Sequence, residues 1–509
     1  MSMSITLNRQ AMEVERLAAQ ARVQLPVRAE ALASGAGRES VEILMEDAAA
    51  AVEQVEVRAD RVVVTGSVQC QGIYAQGQEG SVRALTAQAP FEQIFEMEGV
   101  RPKMTARARA TVEHVEAAYE VGHMVFSVTL GVQVSVSSLS TVEPVTSIDG
   151  EPVQQRTEQL TSLKLNAEAG AMCSLKGSVS LPAELDARVP LMYWARPVVQ
   201  RLTRDLGGVR VSGETAVEAL VLSGVKNRPV ILIRYRLPFE QLVELPDWLQ
   251  GEYRAEGETR SLRLTVEAGE GQDSALAIEC GVQLSLRVLG KDQAEVLADA
   301  YQTGENDLEL TGESDLELSG ERVEVCVQEP AVEAEVTCKN TMTLDEGAAP
   351  AGTVLATHVL PVIGDWQAQG DKTRVEGVLE STVVYLAAPG GEMASARGEI
   401  PFEIELPGAL DENAWVEVTS SDAEASALMS DRLEVRCRLT ARGEGRVSRE
   451  VTLITDVRQV EAAASRRGVA LCYPQEGDSL WSLAKRYRVP TEALQPLSDA
   501  QDAPLMVVK

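Results

Sequence analysis

One tetrapeptide in this 509-residue chain carries the signature of covalent chemistry: Gly477-Asp478-Ser479-Leu480, a motif that presents a nucleophilic serine in one group of hydrolases. A serine hydroxyl needs a neighbouring base to attack at neutral pH. That group takes its base from an Asp-x-x-His further along the chain, and no histidine follows Ser479. The three histidines, His114, His123 and His358, have no carboxylate or cysteine at a suggestive spacing, so each reads as a solvated or core side chain. Phosphate-cradling glycine loops and a helical His-Glu-x-x-His are absent, which leaves no case for a nucleotide or metal enzyme. Gly-Asp-Ser-Leu reads instead as a helix start. Asp478 or Ser479 caps a helix beginning near Leu480 by accepting backbone N–H bonds, worth about 1 kcal/mol. The expectation is a protein that is not an enzyme and uses no cofactor or metal.

Seven cysteines are scattered, odd in number and never spaced C-x-x-C, the pattern of reduced thiols used as small apolar residues. The formal net charge of −30 repels phosphate backbones, so nucleic acid is not an expected partner. The N-terminal stretch is polar and no run approaches 18 apolar residues, which predicts neither a standard export signal nor a transmembrane segment. Aromatics make up only 4%, so the cores must be built from Val, Leu, Ile and Ala.

The elements that position these residues repeat along the chain. Pro-Phe-Glu occurs at Pro90, Pro238 and Pro401, each time after a valine-rich stretch holding Val-x-Gly, with glycines Gly66, Gly213 and Gly377. The glycine-to-proline separations are 24, 25 and 24 residues, too constant for chance. A third landmark, Gly-Val-Gln, follows the first two copies at Gly131 and Gly281. It lies within strict alternation: Phe126, Val128, Leu130, Val132, Val134, Val136, and Leu276, Ile278, Cys280, Val282, Leu284, Leu286. The third copy has a weaker equivalent in Leu433, Val435, Cys437 and Leu439. Period two sends one row of side chains into a core and the other outward. Proline lacks a donor, so Pro-Phe-Glu reads as a strand start whose phenylalanine anchors the core. These landmarks predict a mainly β fold of three tandem antiparallel β-sandwich-like repeats at 11–150, 155–300 and 320–462. The acidic stretch 304–322 reads as a solvated linker or edge strand.

The terminal segment changes period. Leu480, Leu483, Ala484 and Tyr487 fall at i, i+3, i+4 and i+7, one face of a helix. A strand from Val469 to Tyr473 precedes it. A second helix at 491–497, capped by Thr491 after Pro490, and a strand from Leu505 to Val508 follow, giving a small βααβ unit over 468–509. Trp481, Lys485 and Arg488 fall off the apolar face, and their exposure would make Trp481 an interface anchor beside two cations. Between Arg466 and Arg488 there are five basic and two acidic residues, a local reversal in an acidic chain.

On Tyr473, Gly477-Asp478-Ser479-Leu480, Ser482-Leu483-Ala484, Lys485-Arg486-Tyr487, Val489, Leu494 and Leu505–Val508, the segment resembles a LysM domain. The resemblance implies a groove for N-acetyl sugars lined by Gly477, Asp478, Ser479, Leu480, Pro496, Leu497 and Ser498. Ser498 stands where the family has asparagine, and Ala503-Pro504 where it has glycine, so fewer groups reach an acetamido sugar. The three upstream copies, on Val-x-Gly, the alternating strand and Pro-Phe-Glu, resemble SPOCS domains of endospore-forming bacteria. Together the two resemblances imply a scaffold of spore coat assembly in the mother-cell cytoplasm, at the forespore surface. Its LysM module would dock a coat morphogenetic protein such as the ATPase SpoIVA. The alternative they imply is a binder of peptidoglycan glycan in the spore cortex or cell wall.

Overall fold

The computed structural model describes residues 5–508 apart from 34–40, 78–80, 151, 269–272, 304–313, 462–468, 473–474, 476 and 497–504. It consists of antiparallel strands arranged as three consecutive pairs of three-stranded sheets. In the first pair, Val41–Arg58, Arg61–Gln76 and Ser81–Glu96 form a meander. It faces a sheet ordered Met12–Leu32, His123–Val142, Thr105–Glu120. The second pair sets Ala187–Asp205, Gly208–Ser223 and Val230–Glu244 against Glu252–Ala268, Ser274–Gln302 and Val153–Leu181. The third sets Ala351–Gln369, Lys372–Ala387 and Met393–Pro407 against Ala331–Thr343, Arg432–Glu444 and Trp415–Met429. Each pair, here called a module, encloses its own apolar core. The alternating rows read from sequence form the inner faces of the central strands His123–Val142, Ser274–Gln302 and Arg432–Glu444, and all are buried. A short strand Thr6–Arg9 pairs with Val145–Asp149, and Ser314–Gln328, the end of the acidic stretch, pairs with Val447–Glu461.

Pro-Phe-Glu is not a strand start. Each copy lies in the middle of an edge strand, where the missing N–H of Pro90, Pro238 or Pro401 is tolerated because no neighbour needs it. The constant spacing has a steric cause. Gly66, Gly213 and Gly377 pair in register with Phe91, Phe239 and Phe402 across the meander hairpin. A Cβ on Gly66 would sit 2.2 Å from the carbonyl oxygen of Ala51 and 2.5 Å from the Phe91 ring. On Gly213 it would meet the oxygen of Val198 at 2.1 Å and Phe239 at 2.8 Å; on Gly377, the oxygen of Val362 at 2.1 Å and Phe402 at 2.8 Å. In each module the first strand of the meander has a register shift beside that glycine, at Val52/Gln54, Val199/Arg201 and Ile363/Asp365. The phenylalanine ring therefore lies on bare backbone at a bulge. The separation of 25 residues in the second copy reflects a longer hairpin loop, with the pairing itself unchanged.

The modules pack around a common axis. Leu44 and Met45 of the first, Leu191 and Met192 of the second, and Leu355 and Ala356 of the third meet in one buried cluster. The intervals, 147 and 164 residues, are those that separate Gly66, Gly213 and Gly377. The same intervals bring together Asp47, Trp194 and His358. Trp194 Nε1 donates to Asp47 Oδ2 at 2.5 Å, His358 Nε2 lies 3.1 Å from Asp47 Oδ1, and the two rings stack at 5.3 Å. Beside them Arg397 of the third module reaches Glu46 of the first at 2.6 Å. A second buried cluster joins the modules further along the axis, through Met12, Val14, Leu160, Val296, Val323 and Leu453.

The axial cluster makes the junction sensitive to pH. Burial pushes the Glu46 carboxyl up to about 7 against the pull of Arg397. Burial works against protonation of His358, but Asp47 raises it above the ordinary 6.5. Both groups bind protons more tightly folded than unfolded, so their contribution is present at low pH and is lost as pH rises through their folded values. Raising pH from 5.5 to 7 is expected to cost about 2 kcal/mol at Glu46 alone. Thermal midpoints of the wild type should fall across that range, and Glu46→Gln should flatten the profile.

Candidate functional site

The residues singled out by sequence gather at the far end of the axis. Leu480–Tyr487 forms an eight-residue helix, and Val469–Cys472, Leu505–Val508 and Leu494–Pro496 form a three-stranded sheet beside it. Ser479 is the N-cap. Its hydroxyl accepts from Ser482 N at 3.1 Å while Ser482 Oγ accepts from Ser479 N at 2.9 Å, a reciprocal capping box. Asp478 caps the turn before it, accepting from Gln475 N at 3.0 Å and pairing with Arg486 at 2.8 Å. Gly477 takes φ +91°, which only glycine adopts without strain.

The second helix expected at 491–497 is absent. Thr491–Ala493 makes a single 3-10 turn after Pro490, with no side-chain cap, and Leu494–Pro496 then pairs as a strand with Leu505–Val507. Pro496 has no N–H to extend a helix, and pairing with the last strand satisfies the backbone instead. The helix face also differs from expectation. Leu483 and Ala484 are buried and Tyr487 half-buried, but Leu480 is 58% exposed.

The exposed anchor expected at Trp481, Lys485 and Arg488 is corrected in part: Trp481 and Arg488 are half-buried against the body of the chain, and Lys485, though exposed, is paired with it. Trp481 Nε1 donates to Asp299 Oδ2 at 2.8 Å, its ring meets Tyr301 edge-on at 5.1 Å, and Arg156 lies 5.7 Å over it. Lys485 pairs with the other oxygen of Asp299, and Arg488 reaches Asp315 at 2.5 Å. Tyr301, 1% exposed, donates to the carbonyl of Val489 at 2.9 Å. Burial disfavours the Asp299 carboxylate, yet Lys485 and Trp481 hold it below the usual range. Arg486 pairs with Asp478 of its own unit, while two other cations of the basic reversal, Lys485 and Arg488, thus meet acids of the body of the chain. The sequence could not show this, because the partners lie 173 or more residues away. Trp481→Ala should weaken this seam by about 2 kcal/mol, the worth of a hydrogen bond to a charged group. Hydrogen exchange should then rise across 480–489 with the three sheet pairs unaffected.

Of the residues proposed to line a glycan groove, Gly477, Ser479 and Leu480 are exposed on the turn facing away from the seam, with Asp478 half-buried beside them. Pro496 lies in the short strand, and Leu497 and Ser498 fall outside the described residues. Exposed apolar side chains that sequence reading missed sit at a tip of the second module. Leu206 and Trp248, 86% and 79% exposed, lie on turns joined by Gly207 N to Asp247 Oδ1 at 2.9 Å.

Among the described residues no helix is long and apolar enough to cross a membrane, and no cluster of three or more His, Cys, Asp or Glu is placed to hold a metal. No curated protein and no solved structure matches the chain. A family model does match: SipL, SPOCS domain, over residues 41–120. That span covers the meander of the first module with Gly66 and Phe91, and the following strand Thr105–Glu120. The match is to one SPOCS domain, and it lies within the first module.

Proposed function

We propose that this protein is a non-enzymatic scaffold of spore coat assembly. In this reading the second and third sheet pairs are further SPOCS modules, and the C-terminal unit is a LysM module that docks a coat morphogenetic protein of the SpoIVA type at the forespore surface. A SPOCS domain marks a protein of sporulation. The recurrence of the glycine–phenylalanine contact in all three sheet pairs supports the repeat assignment. One observation carries the docking role: the terminal helix is held by its inner side to Asp299, Tyr301 and Asp315, leaving Leu480 58% exposed at its outer end. A large apolar side chain fixed on a rigid support is pre-organised for a protein partner, since little ordering remains to be done on binding. Peptidoglycan is the second reading, supported by the exposure of Gly477, Ser479 and Leu480 on the same turn.

The two separate in a partition experiment. The full chain is incubated with insoluble peptidoglycan and, in parallel, with purified SpoIVA. Capture by SpoIVA without sedimentation on peptidoglycan is expected; sedimentation on peptidoglycan without capture would replace the first reading by the second.

A further inference from the structure

Burial pushes the thiols of Cys70, Cys280 and Cys326 up, to about 12, 11 and 11, each as a single apolar side chain in a core. Cys338 and Cys437 differ. They face each other in register between the edge strand Ala331–Thr343 and the central strand Arg432–Glu444 of the third module. Directly opposed residues of antiparallel strands have Cα atoms about 4.5 or 5.5 Å apart, both within the roughly 4.4–6.8 Å that a disulfide spans. They also point to the same side of the sheet, which sets the two sulfurs face to face across the ladder. Cys173 and Cys280, the other cysteines on paired strands, miss this register: Cys173 faces Val282 and Cys280 faces Leu175.

The two thiols are unequal. Cys437 is 1% exposed within the module core, whereas Cys338 is half-buried on the edge strand and open to small solutes. The neighbouring Cys437 thiol holds the Cys338 thiol below its ordinary range against the effect of burial, while the same pairing, with burial, pushes Cys437 up. The neighbouring pairs, Thr337 with Arg438 and Lys339 with Arg436, point to the opposite face of the sheet, where Arg438 and Lys339 are paired with Glu335 and Glu434.

We propose that Cys338 and Cys437 form a peroxide-oxidisable dithiol, with Cys338 as the attacking thiolate and Cys437 as the resolving thiol. The Cys338 thiolate attacks one oxygen of a hydroperoxide. The O–O bond breaks, a sulfenic acid forms on Cys338, and the other oxygen leaves as alkoxide or hydroxide and takes up a proton. The Cys437 sulfur then attacks the sulfenic sulfur; the S–O bond breaks, and hydroxide departs with the Cys437 proton as water. Two thiols and one hydroperoxide give one disulfide, one alcohol (water, for hydrogen peroxide) and one water. The product ties the exposed edge strand to the centre of its sheet, closing a loop over most of the third module, where a cross-link restricts the unfolded chain strongly.

The test uses the native full-length chain. It is exposed to one equivalent of hydrogen peroxide, then alkylated, digested and mapped by mass spectrometry. A Cys338–Cys437 cross-linked peptide with the other thiols alkylated is expected, and dithiothreitol should reverse it. In Cys437→Ser, dimedone should trap a sulfenic acid on Cys338; in Cys338→Ser no disulfide should form. Oxidation of other cysteines in preference to Cys338, or sulfinic acid on Cys338 of the wild type without a disulfide, would overturn the proposal. The wild-type map decides the matter even where a variant fails to fold.

Discussion

Phe402→Ala is expected to cost about 3–5 kcal/mol, the range for removing a buried aromatic ring, and Gly377→Ala to cost a comparable amount for the opposite reason. Phe402 is 7% exposed and rests directly on Gly377. Truncating it opens a cavity beside a bulge that cannot close over it. Adding a methyl to Gly377 instead drives a carbon to 2.1 Å from the Val362 oxygen and 2.8 Å from the ring. The ring can shift, but the carbonyl belongs to the neighbouring strand of the same ladder and cannot. The control lies in the same sheet. A Cβ at Gly364 would meet nothing closer than 3.6 Å, so Gly364→Ala should leave the module nearly unchanged. A loss of about 3 kcal/mol in a module of this size lowers the thermal midpoint by roughly 10 °C. Calorimetry should therefore separate the Gly377 and Gly364 variants clearly. Equal midpoints would mean that the Val-x-Gly spacing has another cause.

The second large effect is expected at the ion layer between the two apolar junctions. Arg287, only 7% exposed at its side chain, lies 3.0 Å from Glu444, 3.7 Å from Glu256 and 3.7 Å from Glu329. Arg109 of the first module reaches Glu256 at 2.6 Å and Glu444 at 3.4 Å, and its guanidinium lies 5.0 Å over Trp415. All three modules contribute, so the charges act as a lock on their arrangement. Burial opposes ionisation of Glu444, but Arg109 and Arg287 hold its carboxyl far below the usual range. Its contribution is thus present above the ordinary carboxylate pKa and is lost only in strong acid. Glu444→Gln removes the charge and leaves Arg109, Arg287 and Arg107, which lies 3.6 Å from Glu444, facing one another with Glu256 and Glu329 as counter-charges. Breaking a buried network in this way costs about 3–5 kcal/mol, because the surviving charges stay buried. The modules have separate cores, so the variant should keep its β signature while protease accessibility rises at the seams between modules. Unchanged protection would show that the apolar clusters alone hold the modules together.

Much of the fold was legible because it rests on local rules. The alternation from Phe126 to Val136 and from Leu276 to Leu286 marks central strands, and the recurrence of Val-x-Gly with Pro-Phe-Glu counts the sheet pairs. Edge and start of a strand are not distinguished by a proline alone, which is why Pro90, Pro238 and Pro401 read as starts. The contacts between modules were hidden. Asp47, Trp194 and His358 share no residue type, and only their intervals, the same as those between Gly66, Gly213 and Gly377, relate them. The helix of the terminal unit was readable from its period, and its cap from Ser479. Which side of it meets solvent was not, since Asp299 and Asp315 lie far away in sequence. The shortfall of apolar residues on the helix explains the error: with Leu480 outward, Trp481 completes the buried face against Tyr301.

The affinity of the full chain for purified SpoIVA, compared between wild type and Leu480→Asp, tests the scaffold reading most directly. Leu480 is exposed and lies outside the seam to Asp299 and Asp315, so the substitution should leave the thermal midpoint unchanged. An anchor residue at a protein interface is worth about 2 kcal/mol or more, so binding should weaken by roughly 30-fold. Equal affinity in the two proteins would contradict the placement of the docking surface at the outer end of this helix.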